Sequence, residues 1–374
     1  MFKKRILAAA LCATMMLPFS GCSDNKANNP SKPVEEKPKT LSEVCEDISK
    51  IETFDYTFEL FAETQKSVPA PGEADVMTKE TESFGVSFGG GFAKDQMAIT
   101  NVMLKADIDS DGNIDNSYLT DIVSTKDTVY VNVKPLIDLM AAQMDDGSEL
   151  PEALTSLGYV SITPDEAKEY INSQSSETEQ SVPDVKLDDL TATVNDIGQK
   201  TSDLIKALYG KCESLITSSN GVFTLKIDNS NIKTVTDAVL AMINDGSMKT
   251  YLENVKTSLD ALGVQNTTTS EGTDCIEITN DIDKTLAEMK SSLENLNFEE
   301  MDTFSIVVTL KTPTADNAYY TINATGETTS KTNGDVTKIA ITFALRENAD
   351  VKIVVPADAK SFTDAMTVLE GIMS

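Results

Sequence analysis

Strict two-residue alternation of apolar side chains is the feature that most restricts how this chain can fold. In the final third, Phe304, Ile306, Val308 and Leu310 alternate, as do Tyr320, Ile322 and Ala324, and then Ile339, Ile341, Phe343 and Leu345. Successive side chains of a strand point to opposite faces, so each stretch predicts a strand with one apolar face. Turns that include Asn333-Gly334 join them as antiparallel hairpins. Val351, Ile353 and Val355 predict a last strand ending at Pro356, followed by a helix in which Phe362, Met366, Leu369 and Met373 share a face.

The first third repeats the pattern. Thr40-Leu41-Ser42-Glu43 has capping-box spacing, and Leu41, Val44, Ile48 and Ile51 follow at helical intervals. Phe54, Tyr56, Phe58 and Leu60 then alternate with Asp55, Thr57 and Glu59, and Phe84, Val86 and Phe88 alternate up to a Gly89-Gly90-Gly91 break that reads as a bulge. Residues 95–108, 117–125 and 128–133 continue as strands, with Lys126-Asp127 as a turn.

Between these thirds the period becomes helical. Pro135 to Met144 and Pro164 to Ile171 each start with proline in a first turn. Leu187, Leu190, Val194, Ile197, Leu204, Leu208, Leu215 and Ile216 keep one stripe for about eight turns. After a strand from Val222 to Ile227 come helices over 231–244 and 247–262, parted by Asp245-Gly246. This order predicts an α+β fold, a curved antiparallel sheet of about ten strands covered by amphipathic helices. Residues 41–374 form the globular domain and exceed the usual domain size, so two lobes meeting near residue 180 are one expected arrangement.

The N-terminus carries an address. Lys3, Lys4 and Arg5 precede a short apolar core from Ile6 to Met16, and Leu17-Pro18-Phe19-Ser20-Gly21-Cys22 follows. That core is shorter than the roughly 20 residues needed to span a bilayer. The segment resembles the lipobox class of bacterial export signals, with Phe19 standing where Leu is usual. The resemblance implies cleavage of residues 1–21, lipid on Cys22, and an extracytoplasmic domain anchored to the membrane. Residues 22–40 are polar and contain proline, and read as a flexible tether.

Composition narrows the chemistry. Residues 1–21 hold three cations and no anion, so the formal charge of −29 becomes −32 once they are removed. Clustered Lys and Arg are what bind a phosphate backbone, so nucleic acid is not an expected partner, and anionic lipid headgroups are repelled. The chain contains no His and no Trp. Ser-His-Asp, Cys-His and His-ligated zinc schemes are therefore excluded, and the lack of Trp weakens a sugar-stacking reading, for which Tyr could substitute in part. With Cys12 in the signal and Cys22 claimed by lipid, Cys45, Cys212 and Cys275 remain. They are read as buried thiols, with one bridge plus a free thiol as the alternative.

The lipobox and tether, an opening helix running into an aromatic strand, Thr128-Val129-Tyr130-Val131-Asn132-Val133, and Val351-Lys352-Ile353-Val354-Val355-Pro356 before a final helix together resemble exported lipoproteins of the lipoprotein-carrier type. The resemblance covers most of residues 41–374 as an order of elements. It implies an incomplete antiparallel barrel, a half-barrel plugged by helices, with an apolar cavity that takes acyl chains.

One motif points to a metal. Asp107, Asp109, Asp111, Gly112 and Asp115 occupy the spacing of a calcium loop, hard oxygen ligands with a glycine at the sharp turn. Tyr118 stands at the twelfth place, where a bidentate Glu is needed, and the flanks read as strands. A solvated Asp-Gly hairpin turn is the competing reading. No Lys-Ser/Thr follows Gly89-Gly90-Gly91, so no phosphate loop is formed, and nothing marks a carboxylate pair for glycoside hydrolysis. The expectation is a membrane-anchored, noncatalytic domain that binds a hydrophobic or amphiphilic ligand between sheet and helices and needs no cofactor. The alternative is a structural or protein-interaction surface module, steadied by calcium in one version.

Overall fold

A computed structural model describes residues 39–70, 73–93, 96–106, 115–142, 150–174, 196–197, 200–201, 203–204, 206–261, 281–298 and 302–373. Helix α1 (Leu41–Ser49) begins as its sequence requires: the Thr40 hydroxyl accepts from the Glu43 N–H, and the Glu43 carboxylate accepts from the Thr40 N–H at 2.7 Å. Those bonds hold the Glu43 carboxyl below its ordinary range. Strands β1 (Thr53–Ala70), β2 (Glu73–Ala93), β3 (Gln96–Ala106), β4 (Asp115–Ser124) and β5 (Val129–Asn132) follow. Helices α2 (Lys134–Ala142) and α3 (Glu152–Thr155), strand β6 (Tyr159–Ile162) and helix α4 (Pro164–Gln174) come next. Strands β7 (Ile216–Ser219) and β8 (Val222–Asp228) precede helices α5 (Ile232–Asn244), α6 (Ser247–Ala261) and α7 (Ile282–Glu294). Strands β9 (Thr303–Lys311), β10 (Tyr320–Thr329), β11 (Val336–Glu347) and β12 (Lys360–Ser361) and helix α8 (Phe362–Met373) complete the order.

The architecture is α+β, with open, mostly antiparallel sheet structure and, among the described residues, twelve strands, more than the ten or so expected. The chain divides into two compact units, each assembled from separated segments. One comprises Met1–Ile51, Pro183–Thr312 and Ala324–Gly334, the other Glu52–Val182, Pro313–Asn323 and Asp335–Ser374.

In the second unit the strand order is β12-β6-β5-β4-β3-β2-β1-β11, antiparallel except for the parallel pairing of β12 with β6. Its centre is the long β1–β2 hairpin, with Phe58 opposite Phe88 on β2 and Phe343 on β11. A small core forms at the β6 end, where Ile137, Leu154, Leu157, Val160 and Ala365 are buried together. Phe362, Val368 and Leu369 of α8 pack against it, so the helix turns in a face that shares Phe362 and Leu369 with the predicted one but is centred on Ala365 and Val368 in place of Met366.

In the first unit the order is β10-β9-β8-β7, with β10 belonging to it from Ala324 onward. Phe223, Leu225 and Ile227 of β8 lie opposite Leu310, Val308 and Ile306 of β9, and all six are buried. Helices α5, α6 and α7 pack on one another and bury Val235, Ala238, Met242, Val255 and Leu286. Gly246, at φ +82, makes the sharp reversal between α5 and α6 that glycine permits cheaply.

Several expectations are corrected. Gly89-Gly90-Gly91 does not break its strand; β2 runs through to Ala93. The irregularity sits opposite, where Asn101 and Val102 of β3 together face Phe88 and Asn101 takes φ +54. The stripe drawn from Leu187 to Ile216 does not stay helical at its end: 206–211 is helix, Glu213–Leu215 a single 3₁₀ turn, and Ile216 opens β7. Val351 to Pro356 is not a strand. It keeps alternating burial without ladder partners, and the Val351 side chain fills the space beside Gly91. Helix α7 and strand β7 were not anticipated.

Candidate functional site

The most distinctive surface in the second unit is an aromatic row on one face of β1, β2 and β11. Because β1 is regular from Phe54 to Val68, its even-numbered residues share a face, and the register extends each rung onto both neighbours. Phe54 meets Phe92; Tyr56 meets Gly90 and Leu345; Phe58 meets Phe88 and Phe343. Leu60 meets Val86 and Ile341, and Ala62 meets Phe84 and Ile339. The eight residue steps from Phe54 to Ala62 make this row about 26 Å long.

The rings touch in sequence. Phe54 and Phe92 stack at 5.3 Å between centroids, Phe58 and Phe88 at 4.8 Å, and Tyr56 bridges them, 6.4 Å from Phe88 and 6.2 Å from Phe343. Such offset and edge contacts each add about 0.5–1.5 kcal/mol beyond area burial. Yet the row is only partly withdrawn from water. Tyr56, Ile341 and Leu345 are buried, the other rings are half-buried, and Phe84 is 46% exposed.

Gly90 and Tyr56 lock the middle of the row. A Cβ on Gly90 would lie 1.9 Å from the Ala98 carbonyl oxygen, so β2 and β3 can meet there only at glycine. The Tyr56 hydroxyl donates to that same oxygen at 3.1 Å, and burial pushes its pKa up to about 12.

The opposite face is polar and its charges are matched. The Arg346 guanidinium grips Asp55 with two nitrogens, Lys105 reaches Glu59 at 2.6 Å, and Lys338 reaches Glu63 at 3.9 Å. Arg346 also lies 4.9 Å over the Tyr319 ring. The sheet is thus apolar on one side and ion-paired on the other, the division that alternation dictates.

The sites expected from sequence fare unevenly. Cys22, Cys275, Asp107, Asp109 and Asp111 lie outside the described residues. Asp115 opens β4, exposed and opposite Ala106, so the calcium-like segment connects two paired strands. Tyr118, at its twelfth place, accepts a hydrogen bond from the Asn132 amide at 3.2 Å, and burial, with Asp121 beside it, raises its pKa to about 12. Asp121 accepts from the Asn101 N–H at 2.7 Å and from the Tyr159 hydroxyl at 3.3 Å, which braces the β3 bulge. Among the described residues no cluster of three or more Cys, Asp or Glu has metal-holding geometry.

Cys45 and Cys212 are both free thiols. Burial raises the Cys45 pKa, with Lys206 pulling weakly the other way, and burial raises that of Cys212. Neither is poised as a thiolate nucleophile. Cys45 is half-buried, less enclosed than expected.

The sequence marks Phe54, Tyr56, Phe58, Phe84 and Phe88 only as strand positions, assigns no ligand-binding residue, takes Gly90 as part of a bulge and stops short of Phe92. The signal was present: Phe84, Val86, Phe88, Gly90 and Phe92 keep one even-numbered period through the triplet. Among the described residues no helix is long and apolar enough to cross a membrane. No protein-family model matches the chain, and a search of curated proteins finds no match to it.

Proposed function

We propose that this chain is a noncatalytic bacterial lipoprotein, held outside the cytoplasm by acyl chains on Cys22, which binds a hydrophobic or amphiphilic ligand along the aromatic row. In this reading the sheet curves as a half-barrel beneath amphipathic helices, and the row lines its inner side. The observation that carries the ligand is the half-buried state of the rings, with Phe84 at 46% exposure, beside fully buried aliphatics elsewhere in the chain. Apolar surface left in water costs about 25 cal/mol per Å², and contiguous patches of it mark binding sites. Each methylene that a ligand tail buries there returns about 0.8 kcal/mol. The basic start, apolar core and Ser20-Gly21-Cys22 support the anchor.

Protein purified from cells without detergent, extracted with organic solvent and analysed by mass spectrometry, is expected to release a lipid in near-stoichiometric amount. Clean extracts, with no amphiphile bound when lipids are added back, overturn the ligand reading. Radiolabelled palmitate is expected to enter the parent chain and not a Cys22→Ala variant, which leaves the membrane fraction. Equal retention of both overturns the anchor.

A further inference from the structure

We propose that the segment from Asp350 to Lys360 is a self-complementary surface through which two copies of this chain pair about a twofold axis. The inference does not draw on the amphiphile reading and concerns the other face of the sheet. Gly91, Ala98, Val123, Tyr130 and Ser161 stand opposite one another in turn, one rung running across β2, β3, β4, β5 and β6. The chain after β11 follows that rung. Its Val351 side chain occupies the space where a side chain on Gly91 would lie, and farther on Lys360 pairs with Val160 of β6 while its carbonyl accepts from the Ser161 hydroxyl at 3.2 Å. Crossing from β2 to β6 takes about 19 Å, within reach of an extended chain from Val351 to Lys360.

This strap lays one side on the sheet and shows the other to water. Val351, Ile353 and Val355 are half-buried and Asp350, Lys352 and Val354 exposed; after Pro356 a turn leaves Asp358 and Lys360 exposed as well. Val354, at 78%, is the most exposed large apolar side chain among the described residues. Asp350, Lys352, Asp358 and Lys360 make no ion pair among the described residues, whereas Lys105, Lys338 and Arg346 on the same side of the sheet are each paired.

The order of those charges selects the partner. Outward from Val354 the strap carries Lys352 then Asp350 in one direction, and Asp358 then Lys360 in the other. Turned end for end on a second copy, this sets Lys352 against Asp358 and Asp350 against Lys360, each pair twice, with Val354 beside Pro356 at the centre. A pattern that matches its own reverse is what an isologous contact requires, and an apolar centre with a charged rim is ordinary interface anatomy. A peptide of one sign would gain at two of these positions and lose at the other two. The row itself is neutral on a chain of formal charge −29, so two copies meet there without the repulsion they carry elsewhere. Glu347, Asp121 and Asp364 add negative charge near its two ends, which keeps the pairing weak.

The test is sedimentation velocity on the full chain in dodecyl maltoside, with micelles in excess of protein, at about 0.15 M salt. The parent is expected to show a monomer–dimer equilibrium with a dissociation constant on the order of 10–100 µM, as suits a small interface. Lys352→Glu and Asp358→Lys each turn two attractions into repulsions and should weaken it at least about tenfold, with melting temperature unchanged. Mixed in equal amounts, the two variants should pair with each other as tightly as the parent pairs with itself, because every contact in the mixed dimer again joins opposite charges. A parent that stays monomeric up to about 0.3 mM, single variants that pair as the parent does, or a mixture that fails to pair overturns the proposal.

Discussion

The β8–β9 face of one unit and the β1–β2–β11 face of the other arise from the same alternation and end in opposite states. Phe223, Leu225, Ile227, Ile306, Val308 and Leu310 are all withdrawn to 8% exposure or less. Phe54, Phe58, Phe88 and Phe92 remain half-buried, with Phe84 more open still. Period-2 patterning makes a face apolar; it does not decide whether that face is sealed. A sealed face contributes to stability, whereas an unsealed one gives up part of that contribution and persists where something else is to be held. Cutting into each face should separate these two roles.

The largest loss is expected at Gly90, where the two strands touch through a missing side chain. A Gly90→Ala methyl would overlap the Ala98 carbonyl oxygen, and one side of that contact is backbone on β3, so the β2–β3 ladder must part. Urea unfolding should show a loss above about 4 kcal/mol, the range reserved for broken packing or forced backbone. A loss under about 1 kcal/mol would mean the strands can slide apart there. Next comes the sealed side. Met242 of α5 is 1% exposed, and Met242→Ala should lose about 2–5 kcal/mol in the same measurement, with amphiphile binding unchanged.

How much of this was legible in the sequence follows from what each signal encodes. Alternation and capping depend on neighbouring residues, so β8, β9, α1, α5 and α6 could be read within a few positions, whereas β1 was read only to Leu60 of a strand that runs to Ala70. Gly89-Gly90-Gly91 misled because glycine more often marks a bend than a close approach, and only the partner strand shows that Tyr56 and Ala98 need the space. Val351 to Val355 misled in the other direction. Its alternation is real and its burial alternates too, but a strand also needs a ladder partner, which lies far away in sequence. The Leu187–Ile216 stripe was carried too far because one apolar residue, Ile216, fits a helix face and a strand equally well. Of the candidate site, the rings were legible; their half-buried state was not, because exposure depends on whatever packs above them.

A smaller effect is expected at the hydroxyl that pins the row. Tyr56→Phe keeps the ring and leaves the Ala98 oxygen without its side-chain donor, a loss of about 1 kcal/mol. The same site has a pH signature. The Tyr56 pKa is raised from 10 to about 12 in the folded chain, so the neutral phenol is favoured there. Its stabilisation is complete below pH 10 and is lost as pH rises from 10 toward 12. Ultraviolet titration at high pH should show a delayed tyrosinate fraction that shrinks in Tyr56→Phe; an unchanged fraction would place the delay on Tyr118 and Tyr209, both also raised to about 12.

The smallest stability change is expected at Phe84, and it separates the two faces most sharply. At 46% exposure its ring has little burial to lose, so Phe84→Ser should shift unfolding by under about 1 kcal/mol. Phe84 nonetheless closes the Ala62 rung, the last apolar step before Thr64 and Glu82, so a bound tail that leaves the row must pass over it. Replacing the ring with a hydroxyl removes that contact and wets its neighbours. Calorimetric affinity for dodecyl maltoside should fall about five- to tenfold, roughly the free energy of one or two methylenes. Should stability fall by several kcal/mol instead, the ring is sealed in solution and the contrast between the faces disappears. Should neither quantity move, the row is surface that no ligand uses.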